Sequence, residues 1–189
     1  MRKKIIFLFF LALMLAWGGY LYSGDLDPRL HSKEEVKWQV SFGRDYDYSN
    51  ALVSRAVDGD TLVLENNERV RLIGIDTPEI HESSKLARDI QRSGQDKAAI
   101  KELGMQSYEF TKKLVEGRRV RLEFDAEKFD KYKRLLAYVY LNDGTFVNAE
   151  IVEQGYASLL TIPPNVKYAE LFSTLYRQAR ENKRGLWRQ

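Results

Sequence analysis

An α+β fold that is mainly β is what this sequence predicts, and three observations predict it. Three short runs rich in β-branched residues, 51–57, 61–65 and 69–75, follow one another across tight turns. A helical stretch separates them from two further β runs, 119–124 and 135–141, the second closing at Asn142-Asp143-Gly144. Helical patterning then returns at 148–154 and 168–183. Five strands interrupted in this way suit a small, partly open β-barrel carrying helices, the architecture called the OB fold.

Ahead of that domain, Arg2, Lys3 and Lys4 precede an uncharged apolar run at 5–22. At about 1.5 Å per helical residue the run reaches the lower end of what crosses a bilayer. The only small-x-small site within it, Ala16-Trp17-Gly18, has bulky neighbours, so a retained anchor is expected ahead of a cleaved signal peptide. In either case the basic start stays inside and the remainder is extracytoplasmic. Residues 23–48 lack sustained periodicity and read as a juxtamembrane linker, with Trp38, Phe42, Tyr46 and Tyr48 available to dock on the domain at 49–189.

Within the domain, Asp58-Gly59-Asp60 and Asn66-Asn67 turn the first three strands into a meander. Residues 85–92, 95–103 and 105–116 are helical in composition, with Gly94 and Gly104 expected to interrupt them and Gly117 to end them. Tyr108, Leu114 and Val115 would share an apolar stripe, with Phe110 nearby. The last helix presents Ala169, Phe172, Leu175, Tyr176 and Ala179 on one side. A chain of 189 residues, 44% hydrophobic, has room for one such domain and its appendage.

Charge does not supply a function. The net charge is +3, but Arg2, Lys3 and Lys4 account for all of it, and the remaining basic residues balance the 27 acidic ones. Attraction for a polyanion must come from local clusters such as Lys112-Lys113 with Arg118, Arg119 and Arg121. Absence of cysteine excludes disulfides and thiolate metal sites.

Chemistry concentrates in three places. Asp60 and Asp76 fall at a turn and a strand end, where the backbone carbonyl of Thr77 is also free to point at a ligand. Hard oxygens of this kind select Ca²⁺ or Mg²⁺ over Zn²⁺, with water and substrate phosphate filling the shell. Either aspartate alone is ordinary turn chemistry. Arg71, inside an apolar strand, and Arg134, opening another, can each grip two phosphate oxygens and stabilise growing negative charge. Glu79 follows the rigid Thr77-Pro78 pair and would orient or deprotonate a water. His81 is a weaker candidate base, and His31 lies in the linker.

Asp58-Gly59-Asp60-Thr61, then Arg71 through Glu79, then Asp130-Lys131-Tyr132 with Arg134 resemble, in that order, the thermonuclease family typified by staphylococcal nuclease. Matching flanks include Phe110 to Val115, Leu122 to Asp125, Leu136 to Tyr140 and Val147 to Glu150. The resemblance implies the five-stranded OB barrel and Ca²⁺-dependent hydrolysis of DNA and RNA with low sequence specificity. It implies Asp60, Asp76 and the Thr77 carbonyl as calcium ligands, with Asp58 shaping the turn. Glu79 would be the general base, Arg71 and Arg134 would hold the phosphate, and Lys131 and Tyr132 would lie beside the nucleotide's terminal phosphate. A monomer is expected.

Three departures stand out. Lys133 and Leu135 replace small glycines and would tighten the approach to Arg134. Thr161 and Pro163 stand where the family type has pocket-lining tyrosines, which weakens base stacking. Residues 80–104 are longer than in the type protein. The rival reading is a non-catalytic OB module that binds single-stranded nucleic acid at the cell envelope.

Overall fold

Alternate side chains of most β runs point inward, and that alternation rolls the strands into a barrel. The computed structural model describes residues 46–81, 90–91 and 96–188. The apolar run at 5–22, the linker up to residue 45 and most of the expected helix at 85–92 lie outside the described residues, although Ile90 and Gln91 are helical. Among the described residues no helix is long and apolar enough to cross a membrane.

Strands β1 (Ala51–Ala56), β2 (Thr61–Leu64), β3 (Arg69–Leu72), β5 (Arg119–Glu123) and β6 (Leu135–Leu141) close fully, in the order β1-β2-β3-β6-β5. The expected OB barrel of five strands is present, and it is closed rather than partly open. Its ladders are antiparallel except between β3 and β6, which run parallel with Arg71 opposite Leu136. Val53, Leu62, Leu64, Val70, Leu72, Val120 and Val139 fill the interior.

The expected single strand at 69–75 is two strands, because the chain turns at Gly74. Gly74 has φ +84°, and a Cβ there would meet the Phe172 ring at 2.5 Å, so only glycine fits both backbone and space. Buried Asn148 secures the break: its Nδ2 donates to Ile73 O at 3.0 Å and its Oδ1 accepts from Val139 N at 3.0 Å. The displaced piece, β4 (Gly74–Asp76), pairs instead with β7 (Ser158–Leu160), a strand the sequence reading did not anticipate.

Helix α1 (Lys97–Val115) is continuous through Gly104, contrary to the expected interruption. Asp96 caps it by accepting from Ala99 N at 2.8 Å. Its buried face is Ile100, Gly104, Ser107, Thr111 and Val115, while Tyr108, Phe110 and Leu114 are only partly buried. Val115 is on the inner stripe as expected, but Gly104, Ser107 and Thr111 take the places expected of Tyr108 and Leu114. Helices α2 (Val147–Glu153) and α3 (Ala169–Glu181) bring Ile151, Val152 and Phe172 onto the barrel. Tyr46 and Tyr48 do dock: Tyr48 packs edge-on to Phe124 at 5.2 Å and donates to Glu68 at 2.7 Å, and its carbonyl accepts from Leu122 N.

Candidate active site

Asp60 ends the β1–β2 turn and is almost fully buried, so each of its oxygens needs partners. Oδ2 accepts from the Thr77 N–H at 2.8 Å and the Thr77 hydroxyl at 3.0 Å, and Oδ1 accepts from the Thr61 hydroxyl and lies 3.1 Å from Arg71 Nη1. Arg71 also reaches Asp76 Oδ1 with Nη2 at 3.0 Å and Leu72 O with Nη1 at 3.0 Å. The turn at Gly74 makes this possible, since it folds β4 back and brings Asp76 within reach of an arginine five residues earlier. Arg71 is thus no exposed edge charge; it bridges the two aspartates.

Asp58 lies against the same group and holds Asp60 N at 3.0 Å. Burial, reinforced by the nearby Asp60 charge, pushes its carboxyl up to about 6. Three carboxylates around a single guanidinium leave a surplus of negative charge, which suits a hard cation. Among the described residues no three acidic or histidine side chains converge tightly enough to hold a metal by themselves. The donor set fits an ion that takes few protein ligands and completes its shell with water and phosphate oxygens.

Helix α1 supports this acidic wall from behind. Thr111 donates to Gly59 O at 2.8 Å, and Ser107 ties the helix to Tyr156 O at 2.8 Å. At Gly104 the helix comes so close to the loop after β4 that a Cβ would meet Pro78 O and Ile80 Cγ2 at 2.8 Å and Glu79 C at 3.0 Å. The loop bearing Glu79 is seated directly on that bare stretch of helix. Glu79 Oε1 accepts from the backbone N–H of Ile80 and of His81, at 3.1 and 3.2 Å. His81 is exposed and does not line the cleft.

The opposite wall is the loop 130–134, organised by Asp130. Its carboxylate accepts from the N–H groups of Tyr132 and Arg134 and from Arg134 Nε, the last at 2.7 Å. Burial opposes its ionisation, but the Arg134 backbone and guanidinium prevail and hold the carboxyl below the usual range. With Nε fixed, the two Nη groups of Arg134 have no protein hydrogen bond among the described residues, and Arg134 lines the cleft. Lys131 lies 5.0 Å over the Tyr132 ring, which is itself exposed. All eight residues singled out as catalytic, substrate-binding or metal-ligating gather here: Asp60, Arg71, Asp76, Glu79, Lys131, Tyr132 and Arg134 line one cleft of about 600 Å³, and Thr77 sits behind Asp60.

The family model described as staphylococcal nuclease homologue matches residues 69–189. The chain belongs to the staphylococcal nuclease family. Within it, a thermonuclease of Staphylococcus intermedius is 37% identical, covering 72% of this chain and 74% of its own. Endonuclease YncB of Bacillus subtilis is 34% identical over 73% of this chain and 61% of its own. An uncharacterised protein of Methanocaldococcus jannaschii is 30% identical and matches 99% of this chain and 95% of its own.

The structure places the four residues of two departures from the staphylococcal nuclease pattern outside the lining of the cleft. Leu135 is buried in the barrel and does not narrow the approach to Arg134, while Lys133 takes the left-handed backbone, φ +64°, that a glycine would adopt freely. Nor do Thr161 and Pro163 line the cleft. Side chains alternate from β7 onward, so Leu160 and Ile162 face it, together with Phe129 from the other loop. Sequence reasoning missed these three residues; the period-2 pattern of Ser158, Leu160 and Ile162 was the signal that could have found two of them.

Proposed function

We propose that this protein is a Ca²⁺-dependent nuclease that cleaves DNA and RNA phosphodiesters with low sequence specificity, outside the cytoplasm and held at the membrane by residues 5–22. The coarse part, a nuclease acting on nucleic acid, rests on the family and on relatives named as nucleases. What supports the metal-dependent cleavage is the facing of an acidic wall and an oriented guanidinium across one cleft, and what supports the location is the basic start followed by the apolar run at 5–22.

Asp60, Asp76 and the Thr77 carbonyl would hold the calcium. When bound, it would polarise a phosphoryl oxygen and neutralise charge on the phosphate. Arg134, with Nε clamped by Asp130, would present its Nη groups to the phosphate and stabilise the charge that grows during attack. Arg71 would serve the same phosphate from the opposite wall, exchanging part of its pairing with Asp60 and Asp76 for it. Glu79 would orient the attacking water and accept its proton at the carboxylate. Lys131 and Tyr132 would sit beside a terminal phosphate. The protein is proposed to act as a monomer.

The deciding experiment measures cleavage of single-stranded DNA by the wild type and by Glu79→Gln, with Ca²⁺ and then with chelator. Cleavage should require calcium and fall by about 10²-fold or more in the variant. Metal-independent binding without cleavage would establish the binding-module reading instead. Retention of the full-length protein in membranes after a carbonate wash tests the anchor, and its release would count against it.

A further inference from the structure

Lys128 stands two residues before Asp130 and does not line the cleft, although its neighbours Glu127 and Phe129 both do. Its ammonium lies 4.6 Å over the Tyr48 ring, 4.6 Å over the Phe124 ring and 5.6 Å over the Phe129 ring, and it makes no ion pair among the described residues. A lysine stem laid along apolar surface is ordinary. Three aromatic rings around one ammonium, at the root of the loop that carries Arg134, make a clamp instead. The main chain passes that hold onward: Lys128 O accepts from Leu136 N at 2.8 Å, Asp130 N donates to Arg134 O at 3.0 Å, and the Asp130 carboxylate fixes Arg134 Nε at 2.7 Å. Tyr48 is itself held from three directions. Its hydroxyl donates to Glu68 at 2.7 Å, its ring packs edge-on to Phe124 at 5.2 Å, and its carbonyl accepts from Leu122 N at 2.8 Å.

We propose that Tyr48 and Lys128 are positioning residues for Arg134: the Tyr48 ring, fixed on the barrel, holds the Lys128 side chain and so sets where the loop 130–134 presents its guanidinium. The proposal rests on the nuclease reading and adds to it a segment ahead of the barrel that lines no part of the cleft. Asn165, which does line the cleft, holds Glu127 from that side through two hydrogen bonds at 2.8 and 2.9 Å. The clamp holds the next residue from the other side, so the root of the loop is gripped from both. A donor to the transition state must sit within about 0.5 Å of its productive place. A loop root that slackens therefore costs rate even where the fold is intact.

The test is a double-mutant cycle through Arg134. Full-length wild type, Lys128→Met, Lys128→Arg, Tyr48→Leu and Tyr48→Phe are assayed with Ca²⁺ on a short single-stranded oligodeoxynucleotide under single-turnover conditions, each also in an Arg134→Ala background. Lys128→Met and Tyr48→Leu should each lower the maximal rate by about five- to tenfold, with the half-saturating concentration nearly unchanged. Lys128→Arg and Tyr48→Phe, which keep a cation and a ring face, should stay within about twofold of the wild type. In the Arg134→Ala background the losses should vanish, since the clamp acts only through that guanidinium. Melting temperatures well above the assay temperature establish that each variant is folded. Lys128→Met alters an exposed side chain and decides the matter even if Tyr48→Leu does not fold. A wild-type maximal rate in Lys128→Met, or an equal loss with and without Arg134, means that the clamp does not position Arg134, and the proposal fails while the nuclease reading stands. A wild type inert with Ca²⁺ would overturn the nuclease reading itself.

Discussion

On one wall of the cleft Asp60 is buried and its two oxygens are shared among Arg71, Thr61 and Thr77, whereas on the other Arg134 is held by one carboxylate and Tyr132 stands in solvent. The first wall is made of the β1–β2 turn, Arg71 of β3 and Asp76 of β4, and it is backed by α1. The second is a five-residue turn whose geometry depends mainly on Asp130. Buried ionised groups must be fully partnered, so the acidic wall is part of what folds the protein; the basic loop is mounted on a barrel that stands without it. Substitutions on the two walls should therefore separate stability from catalysis.

Arg134→Ala should show this most sharply. Cleavage should slow by about 10²- to 10³-fold, equivalent to roughly 3 to 4 kcal/mol of barrier, as expected for loss of a donor to the transition state. The melting temperature should hardly move, because a partly exposed ion pair contributes at most about 1 kcal/mol. A large drop in melting temperature would erase the contrast. Asp60→Ala is its mirror image: chemical denaturation without added metal should reveal a loss of about 3 kcal/mol, since Arg71 and Thr77 lose a buried partner. A variant as stable as the wild type would mean that the acidic wall is not structural.

Gly104→Ala tests how the acidic wall holds Glu79. The added methyl must displace residues 78–80 or the helix, a strain of about 1 to 3 kcal/mol. If Gly104 positions Glu79, kcat should fall further than stability alone explains, with KM for the oligonucleotide nearly constant. An unchanged kcat would reduce Gly104 to a packing residue.

The smallest effect should come from Asp130→Asn, at about 1 kcal/mol by melting. Its sign with pH is fixed. Because the folded-state carboxyl lies below the ordinary value of 3.8, its contribution is complete above that value and disappears as pH falls through the folded one. The melting-temperature gap between wild type and Asp130→Asn should shrink on acidification below pH 3.8. A gap that widens would contradict the assignment.

What was legible in the sequence divides along similar lines. Asp58, Asp60, Arg71, Asp76 and the 130–134 turn could be read because their three motifs in that order resemble the thermonuclease family, whereas each aspartate alone is ordinary turn chemistry, and the barrel followed from short β-rich runs between turns. The break at Gly74 could not, because it depends on Asn148 and Phe172, far along the chain. Gly104 misled for the same reason: glycine was read as a helix breaker, while its role is to let a helix and a loop touch. Leu160 and Ile162 were displaced by one position in the reading, which exchanged the faces of the strand.

The parallel ladder between β3 and β6 bears on when the cleft is completed during synthesis. Arg71 and Arg134 are separated by the whole of α1 and β5, and parallel neighbours cannot meet through a hairpin. During synthesis the acidic half is complete long before the second guanidinium exists, and the two come together only after a long loop has closed. A chain that stops before Arg134 lacks the second guanidinium and one strand of the closed barrel. Strand order thus sets when the cleft can form: the two guanidiniums share it only once the long-range pairing of β3 with β6 is made.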